Sequence, residues 1–431
     1  MTFVLVIFAL ITTAFSASYF LPWAVSKLIG IFIKPVGKHA RKVGKVFFVG
    51  AVCCFIFGLV FGWRLITVRH VDIFFDDLPE AFDGYKIAQL SDLHLGTYRF
   101  SHKTIAREVR KTLAEQPDII VFTGDIVNLM PSELRPFTEI LSGLNAPDGV
   151  WSIMGNHDYV MYNDRLTASQ RARCIQEIQD MERSMGWRLL LNENAVIRHG
   201  KDSIALIGVE NQGRRYPYPQ RANLPKALSG VPDGMFKILL SHDPTFWEST
   251  VLPQTDIDLT LSGHTHAWQF RLWGISPSML MFHQWAGLYT APTPASSAPA
   301  AAPSTPAPAT SAPAAAPSTP APAPATSAPA AAPSTPAPAS SATATAPSTP
   351  APATAPSTPA PASSAPAAAP STPAPASSAP NTAPNAAHAA IQKLFVSTGS
   401  GGNIPFRFGS WPEIDIITLR RSPSASRNIN Q

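Results

Sequence analysis

The chain has 431 residues, with 33 Lys and Arg against 28 Asp and Glu, and a basic pI of about 9.1. Residues 1–66 carry seven basic and no acidic groups, so the remainder is nearly neutral and the pI does not indicate a nucleic-acid surface. The three cysteines, two of them inside an apolar run, exclude a disulfide framework and a Cys-ligated structural zinc.

The first 66 residues predict a multi-pass membrane anchor. Two apolar segments, 3–21 and 46–63, are each close to the roughly 20 residues that span a bilayer. The basic loop between them, 34–45, favours a cytoplasmic position, which puts the rest of the chain on the extracytoplasmic side of the cell (inner) membrane. A cleaved signal peptide is a weaker alternative, because the first residues lack Lys and Arg and a second apolar run follows. Residues 22–33 are also apolar, so the first helix could be longer or be followed by an interfacial segment.

A folded domain is predicted over 67–290 together with 388–431, a length sufficient for one sizeable core. Its predicted strands are Tyr85–Leu90, Asp118–Phe122, Val150–Met154, 194–199, 203–209, 236–241 and 257–262. Its predicted helices are 101–115, 132–144 and 167–185. Strands alternate with helices at first and then follow one another, which indicates an α/β domain with mixed sheets.

An insertion at 291–387 interrupts this domain. It contains only Ala, Pro, Ser, Thr and Asn, holds 27 of the 44 prolines, and repeats the unit Ala-Pro-Ser-Thr-Pro-Ala-Pro. Such a composition cannot form a core and favours polyproline II or flexible coil. Its flanks, 285–289 and 394–398, read as strands, so the insertion is interpreted as a greatly expanded hairpin loop, which costs little because closure entropy grows slowly with length. A spacer and a glycosylated surface segment are both open roles.

Five short polar clusters follow predicted strands, where open α/β folds place their sites. They are Asp92-Leu93-His94, Gly124-Asp125, Gly155-Asn156-His157-Asp158, Ser241-His242 and Gly263-His264-Thr265-His266. Each alone is a weak signal, since an Asp-x-His pair or a Gly-Asp turn is usually a loop feature. Their joint occurrence is what points to a metal centre.

The clusters supply the ligands that a pair of divalent cations requires. Two cations about 3.5–4 Å apart need carboxylate, imidazole and amide ligands, including a carboxylate that bridges them. The candidates are Asp92, His94, Asp125, Asn156, His242, His264 and His266. Such mixed ligands suit Mn, Fe, Zn or Mg, so the identity of the two metal ions stays open.

The order D-x-H, G-D, G-N-H-D/E, a lone His and G-H-x-H resembles the calcineurin-like metallophosphoesterases over about 85–290, with a tail at 391–420. The anchor followed by Gln89–Gly96, and the C-terminal 397–409, are similar to the membrane-anchored YaeI/YkuE-type phosphodiesterase branch. The resemblance implies a four-layer α/β/β/α sandwich of two mixed sheets. It also implies one metal held by Asp92, His94 and His266, a second held by Asn156, His242 and His264, and a bridging Asp125.

A water shared by two such cations is acidified, so the expected mechanism is hydroxide attack on phosphorus without a covalent enzyme intermediate. His157 is the candidate acid for the leaving oxygen, and Asp158 is expected to hold the His157 imidazole. Arg407, beside a glycine-rich turn at 399–402 that could form an anion nest, is a candidate substrate-binding residue, although an exposed arginine on an ordinary hairpin is an equal alternative. Three aromatic residues are interpreted as core or rim residues: Trp268, Phe282 and Trp285.

These features predict a membrane-anchored, metal-dependent phosphohydrolase that cleaves phosphodiester, pyrophosphate or phosphomonoester bonds of lipid-linked or small-molecule substrates. One alternative is an enzyme like the UDP-2,3-diacylglucosamine pyrophosphohydrolases of lipid A synthesis. Another, from a different class, is a surface-displayed binding or spacer protein with an inactive esterase domain, which the long insertion suggests and the complete motif set opposes. The expected partners are the phosphate-ester substrate and the bilayer, and no protein partner can be inferred.

Overall fold

A computed structural model of the chain describes residues 2–214, 219–292 and 391–423. The α-helices are α1 Thr2–Phe32, α2 Lys34–Val60, α3 His102–Ala114, α4 Thr138–Leu141, α5 Ala168–Ser184, α6 Leu224–Ala227 and α7 Leu252–Gln254. The strands are β1 Thr67–Phe75, β2 Lys86–Leu90, β3 Ile119–Phe122, β4 Val150–Ser152, β5 Arg188–Leu189, β6 Glu193–His199, β7 Asp202–Gly208, β8 Phe236–Leu240, β9 Leu259–Ser262, β10 Gly287–Pro292, β11 Ile391–Val396 and β12 Glu413–Arg421. The predicted insertion 291–387 lies outside the described residues apart from its first two positions, which end β10.

The apolar N-terminal part forms a helical hairpin in which only Ile33 separates α1 from α2. The ring of Phe15 on α1 lies edge-on to Phe48 and Phe55 on α2, with centroids 6.0 and 5.4 Å apart. The basic segment 34–45 is therefore not a loop, as predicted, but the first three or so turns of α2. Helix α2 begins with a proline in its first turn, where the missing N–H has no helical partner to lose.

Both helices are long and apolar enough to cross a membrane, over Phe15–Phe32 and Lys38–Arg64. The apolar stretch of α1 thus reaches beyond the predicted limit at residue 21. Large apolar side chains of α2, such as Val46 and Phe47, are exposed. A continuous apolar exterior of this kind is expected of a helix that faces lipid.

Two six-stranded sheets form the centre of the domain, with strand orders β1-β12-β2-β3-β4-β5 and β10-β11-β9-β8-β7-β6. In the first sheet, β12 lies between β1, which it pairs in parallel, and β2, which it pairs in antiparallel fashion. In the second, β10 is antiparallel to β11, while β11, β9, β8 and β7 run parallel. Both sheets are therefore mixed, as predicted.

Three apolar clusters hold the layers together. One joins α3, α4 and α5 to the outer face of the first sheet and includes Ile105, Leu141 and Ile178. A second fills the space between the two sheets, and a third covers the outer face of the second sheet with the segments around Leu224 and Trp247. The predicted four-layer α/β/β/α arrangement is confirmed.

Most predicted elements of the domain are present. The exception among the helices is 132–144, where two 3-10 turns precede the four-residue α4, because Pro136 cannot donate a helical hydrogen bond. Strands β1, β5 and β12 were not predicted. The flanks of the insertion pair as an antiparallel hairpin, with Pro292 opposite Ile391, as the expanded-loop interpretation requires.

Candidate metal centre

The five polar clusters meet at one edge of the domain, where the carboxyl ends of strands from both sheets approach each other. Asp92, Asp125 and Asn156 follow β2, β3 and β4 of the first sheet, whereas His242 and His264 follow β8 and β9 of the second. The side-chain amide of Gln89 at the end of β2 donates to the carbonyl oxygen of Ser262 on β9, 2.9 Å away. This cross-sheet contact brings the two sets of ligands within reach of one another.

The first group of ligands consists of Asp92, His94, Asp125 and His266, whose ligand atoms all lie within 4.8 Å of one another. The Nε2 atoms of His94 and His266 are 3.1 Å apart. His266 Nε2 is also 3.5 Å from Asp92 Oδ1, and His94 Nε2 is 3.5 Å from Asp125 Oδ2. Two imidazole nitrogens and two carboxylate oxygens converging in this way match the donor set of a divalent cation.

The second group consists of Asp125, His242 and His264, together with Asn156. Asn156 Oδ1 lies 3.0 Å from His242 Nε2 and 2.8 Å from His264 Nδ1. His242 Nε2 is 3.2 Å from Asp125 Oδ2, the same oxygen that faces His94 in the first group. One carboxylate oxygen is therefore common to both groups, which is the arrangement expected of a bridging ligand.

The backbone at the centre is held in an unusual conformation. Five of the seven predicted ligands have positive φ: Asp92, His94, Asp125, His264 and His266, at 53°, 45°, 61°, 73° and 52°. Non-glycine residues rarely adopt this region, and such strain concentrates where side chains must be aimed at a site. Glycine is required beside them: a Cβ at Gly155 would overlap Asp125 Oδ1.

Burial sets the charge of these groups. It lowers the pKa of His94 and of His266 well below the usual 6.5, so both imidazoles are neutral and offer a lone pair. Burial alone would raise the pKa of Asp125, but the neighbouring His242 and His157 hold it well below its usual range. For His242, burial opposes the charged form, yet the adjacent Asp125 carboxylate raises its pKa to about 10. The centre thus keeps an ionised carboxylate among imidazoles.

Residues 85–268, which contain all seven of these groups, match the calcineurin-like phosphoesterase family. The chain contains a calcineurin-like phosphoesterase domain. Members of this family use divalent metals, in agreement with the donor set described above.

Similar proteins come from animals and bacteria. The chain is 32% identical over 219 residues to a transmembrane protein with metallophosphoesterase domain from Danio rerio, covering 50% of this chain and 47% of that one. It is 31% identical over 204 residues to the uncharacterized metallophosphoesterase YkuE of Bacillus subtilis, covering 45% and 63%. It is 28% identical over 245 residues to the UDP-2,3-diacylglucosamine pyrophosphatase LpxG of Chlamydia trachomatis, covering 46% and 68%. The chain therefore spans only about half to two thirds of the length of these relatives.

His157 of the phosphoesterase domain lies at the rim of the first ligand group. Its ring is edge-on to His94, with centroids 4.7 Å apart, and stacks on Tyr162 at 4.3 Å. Its Nδ1 is 2.7 Å from the carbonyl oxygen of Asn128, which can only accept, so Nδ1 carries a proton. The backbone N–H of His157 donates to Asp125 Oδ1 at 2.8 Å.

Asp158 does not hold the His157 imidazole, so that prediction is wrong. The fully buried Asp158 carboxylate instead accepts four backbone N–H groups, from Asp125, Ile126, Val127 and Gly155, at 2.8, 2.9, 3.2 and 2.8 Å. It joins the turn that carries Asp125 to the turn that carries Asn156. The carbonyl of Asn128, on the same segment, orients His157 in its place.

Arg407 is not a substrate-binding residue, because its side chain is fully buried. Its guanidinium group donates to the carbonyl oxygens of Thr398, Gly401, Ser410 and Trp411, over distances of 2.6–3.3 Å. A guanidinium presents five N–H donors, and these contacts engage all three of its nitrogens. Arg407 is a structural residue that closes the 398–411 segment.

The glycine-rich turn at 399–402 does not form the expected anion nest either. The backbone N–H of Ser400 donates to the carbonyl oxygen of Ser91 at 3.1 Å. The backbone N–H of Gly401 donates to the backbone carbonyl oxygen of Asp92 at 2.8 Å. A Cβ at Gly401 would overlap the carbonyl oxygen of Leu93. These glycines allow the turn to lie directly under the Asp92–His94 segment.

Sequence reasoning missed two side chains at the centre. Tyr162 accepts a hydrogen bond from Asn156 Nδ2 at 2.7 Å, and Asp243 Oδ2 lies 3.8 Å from His264 Nε2. Asp243 directly follows His242, so its position was a usable signal, whereas Tyr162 lies outside every motif. The aromatic residues assigned to the rim agree with that interpretation: Phe282 lies edge-on to His264 at 5.7 Å, and Trp268 is half-exposed.

Proposed function

We propose that this chain is a dinuclear, metal-dependent phosphohydrolase that is anchored in a membrane and cleaves phosphoester bonds of lipid-linked substrates. The observation that carries the proposal is the convergence of seven metal-ligating side chains on two adjacent positions with Asp125 Oδ2 between them. The family of the domain supports the phosphoester class of substrate. Asp92, His94 and His266 are assigned to one cation, and Asn156, His242 and His264 to the other.

Two divalent cations held there would acidify a water molecule and offset charge on the phosphoryl oxygens. The protein groups then have separate tasks. Asp125 stays ionised and keeps the two ligand groups in register. His157 keeps its Nδ1 proton on the Asn128 carbonyl and carries a second proton on Nε2, which it passes to the leaving oxygen as the phosphorus–oxygen bond breaks. The buried carboxylate of Asp158 keeps both turns in place during turnover.

The test uses the purified full chain in detergent, an activated aryl phosphodiester and added Mn²⁺. Asp125→Ala should remove both bound metal and activity, because it deletes the ligand common to both groups. His157→Ala should keep the metal and lose activity. His70→Ala, whose imidazole is largely exposed and pairs with Glu115, is the matched control. Wild-type rates in both site variants would reject the mechanism, and fewer than two metal ions in the parent would reject the dinuclear centre.

Membrane anchoring is supported by the two apolar helices and by the name of the Danio rerio relative. The hairpin places the start of α1 and the end of α2 on the same side, with the basic turns 34–45 at the opposite end. By the positive-inside rule, this arrangement supports a position of the phosphoesterase domain outside the cytoplasm. A reporter fused after residue 431 tests this topology, since a cytoplasmic signal would reverse the orientation.

A second candidate is hydrolysis of the pyrophosphate of UDP-2,3-diacylglucosamine, which is favoured by the similarity to LpxG. The two candidates make opposite predictions in the reporter experiment, because that substrate is made in the cytoplasm. A cytoplasmic domain that releases UMP from the nucleotide lipid would favour this second candidate. An extracytoplasmic domain that prefers simple lipid phosphoesters would favour the first.

A further inference from the structure

An apolar loop follows directly after the last metal-ligating histidine. This segment, residues 268–281, has exposed large apolar side chains at Trp268, Leu272, Trp273, Ile275, Met279, Leu280 and Met281. Trp273 and Leu280 are 91% and 90% exposed. Soluble proteins rarely expose so many neighbouring large apolar side chains without covering them in use.

The tip of the 268–281 loop is a tight two-residue turn with a tryptophan at a position that usually holds Asn or Gly. Leu272 and Ile275 exchange backbone hydrogen bonds of 2.9 Å around Trp273 and Gly274. Both central residues have positive φ, 50° for Trp273 and 82° for Gly274, a geometry that favours Asn or Gly at the first position. Placing a tryptophan there costs backbone strain and leaves a large ring exposed among the described residues, which supports a role for the side chain in binding.

The loop is rigidly connected to the metal centre. It starts two residues after His266, and Ser410 Oγ donates to the His266 carbonyl oxygen at 3.3 Å. The side-chain amide of Gln269 donates to the carbonyls of Ile404 and Phe406 at 2.9 and 2.7 Å. A displacement of the loop would therefore also shift His266, a candidate metal ligand.

The same loop is continuous with the end of α2. Phe270 pairs with Phe408 in a β-bridge, and their rings stack with centroids 6.0 Å apart. Phe57 on α2 lies edge-on to Phe408 at 6.5 Å, and Phe55 packs on Phe406 at 5.4 Å. These aromatic contacts link the candidate membrane span, through the 404–411 segment, to the 268–281 loop.

The charge of this region fits a lipid surface. No Asp or Glu occurs between residues 259 and 292, and Arg271 is the only Lys or Arg in the loop. The Arg271 guanidinium lies over the Trp285 ring, 5.2 Å from its centroid. Tryptophan, methionine and leucine beside a basic residue are typical of segments that enter the headgroup region of a bilayer.

The geometry points to a second membrane contact: the 268–281 loop inserts into the bilayer surface beside α2 and presents the metal centre to phosphoesters carried on lipids. This inference deepens the proposed phosphohydrolase activity and rests on it for the identity of the substrate. The docking itself depends only on the loop and α2. A peptide partner is less well suited, because Trp273 and Leu280 are almost fully exposed and segment 268–281 carries a single charged side chain, Arg271, for specific recognition.

The docking is tested without any substrate. The full chain, with Cys53, Cys54 and Cys174 replaced by Ala, receives an environment-sensitive fluorophore at Leu280→Cys and is reconstituted into phosphatidylcholine–phosphatidylglycerol vesicles. The probe should be quenched by nitroxides on the upper acyl chain and shielded from aqueous iodide. The matched control is Phe74→Cys, an exposed phenylalanine near the far end of β1, about 23 Å along that strand from Thr67. It should show the reverse pattern.

Quenching of the Leu280 probe by iodide alone, as at position 74, would overturn the docking. So would shielding that appears only when two copies crosslink through the loop, which would make the surface an interface between chains. Both outcomes are readable even if the protein hydrolyses nothing.

A kinetic arm tests the consequence for the substrate. Trp273→Ser with Leu280→Ser should lower the ratio of lipid-phosphoester to soluble aryl-phosphodiester hydrolysis by about tenfold or more, the scale set by losing one buried apolar side chain. Phe74→Ser should keep the parental ratio. An unchanged ratio in the double variant would overturn the link between the loop and lipid-borne substrates, whereas inactivity of the parent towards both substrates would instead reject the proposed activity.

Discussion

Replacing Asp158 by Asn should destabilise the phosphoesterase domain far more than its single-atom difference suggests. One oxygen of the carboxylate accepts the N–H groups of Asp125 and Gly155, and the other accepts those of Ile126 and Val127. The amide of Asn has one oxygen, so two buried N–H groups lose their acceptor and face an NH₂ donor instead.

An unsatisfied buried donor costs about 1–3 kcal/mol, so the two together should cost about 2–6 kcal/mol of unfolding free energy. For a domain of this size, each kcal/mol lowers the melting temperature by about 2–4 °C. The assay is thermal unfolding of the full chain in detergent, followed by tryptophan fluorescence, with metal content measured in parallel. Metal affinity should fall as well, because the two turns that Asp158 joins carry Asp125 and Asn156.

Asp202→Asn is the matched control, since the Asp202 carboxylate accepts one backbone N–H, from Ala81 at 2.9 Å, in an exposed setting. It should change the melting temperature little. An Asp158→Asn variant with the parental melting temperature but a lowered kcat would refute the role of Asp158 as an acceptor of backbone N–H groups. Such a result would support the interpretation in which Asp158 holds the His157 imidazole.

Three further substitutions test other parts of the structure. His157→Ala should lower kcat by about 10² to 10⁴ while bound metal, measured by elemental analysis, stays at the parental level. Burial raises the pKa of Glu108 to about 7 from the usual 4.5, so folding takes up a proton between these values and the parent loses stability as the pH rises through them. Glu108→Gln has no such loss, so the melting temperature of the variant minus that of the parent should increase between pH 5 and 8. A difference in melting temperature that does not change with pH would contradict this. Arg407→Lys should cost at least about 2 kcal/mol in thermal unfolding, because one ammonium cannot reach carbonyls on several sides, and Arg198→Lys at the surface should cost little.

The convergence of the candidate metal ligands could be predicted from sequence because each lies in a short motif that follows a buried strand. Leu90, Phe122 and Leu240 end apolar runs, and the polar residues that follow them have to emerge at the same sheet edge. Local pattern and fold class together were enough to place all seven side chains in one site.

Other roles depended on contacts that no local pattern contains. Whether Asp158 meets an imidazole or four backbone N–H groups is decided by how two separate turns pack. Arg407 follows a polar, glycine-rich turn of the kind that is usually exposed, yet the end of α2 and the turn after it cover Arg407. The backbone N–H of Arg407 donates to the carbonyl oxygen of Gly58, and a Cβ at Gly62 would overlap the carbonyl oxygen of Arg407. The contribution of α2 to this burial could not be predicted from the residues around Arg407.

The first helices illustrate a different limit. The basic composition of 34–45 favours a loop, but Lys, Arg and Ala are good helix formers, and the proline near residue 34 is accepted in the first turn of α2. The C-terminal strand β12 was missed because its place, between β1 and β2, pairs residues more than 300 positions apart.

The pairing of Pro292 with Ile391 has a consequence for how this chain can change in evolution. The repetitive tract leaves the second sheet at the end of the edge strand β10 and re-enters it at the opposed start of its neighbour β11. Gain or loss of whole repeat units therefore changes the number of residues that connect two neighbouring strand ends. The free-energy cost of closing such a loop grows only with the logarithm of that number. A change in tract length therefore leaves the pairing of β10 with β11, and the sheet beside the candidate metal centre, unaltered.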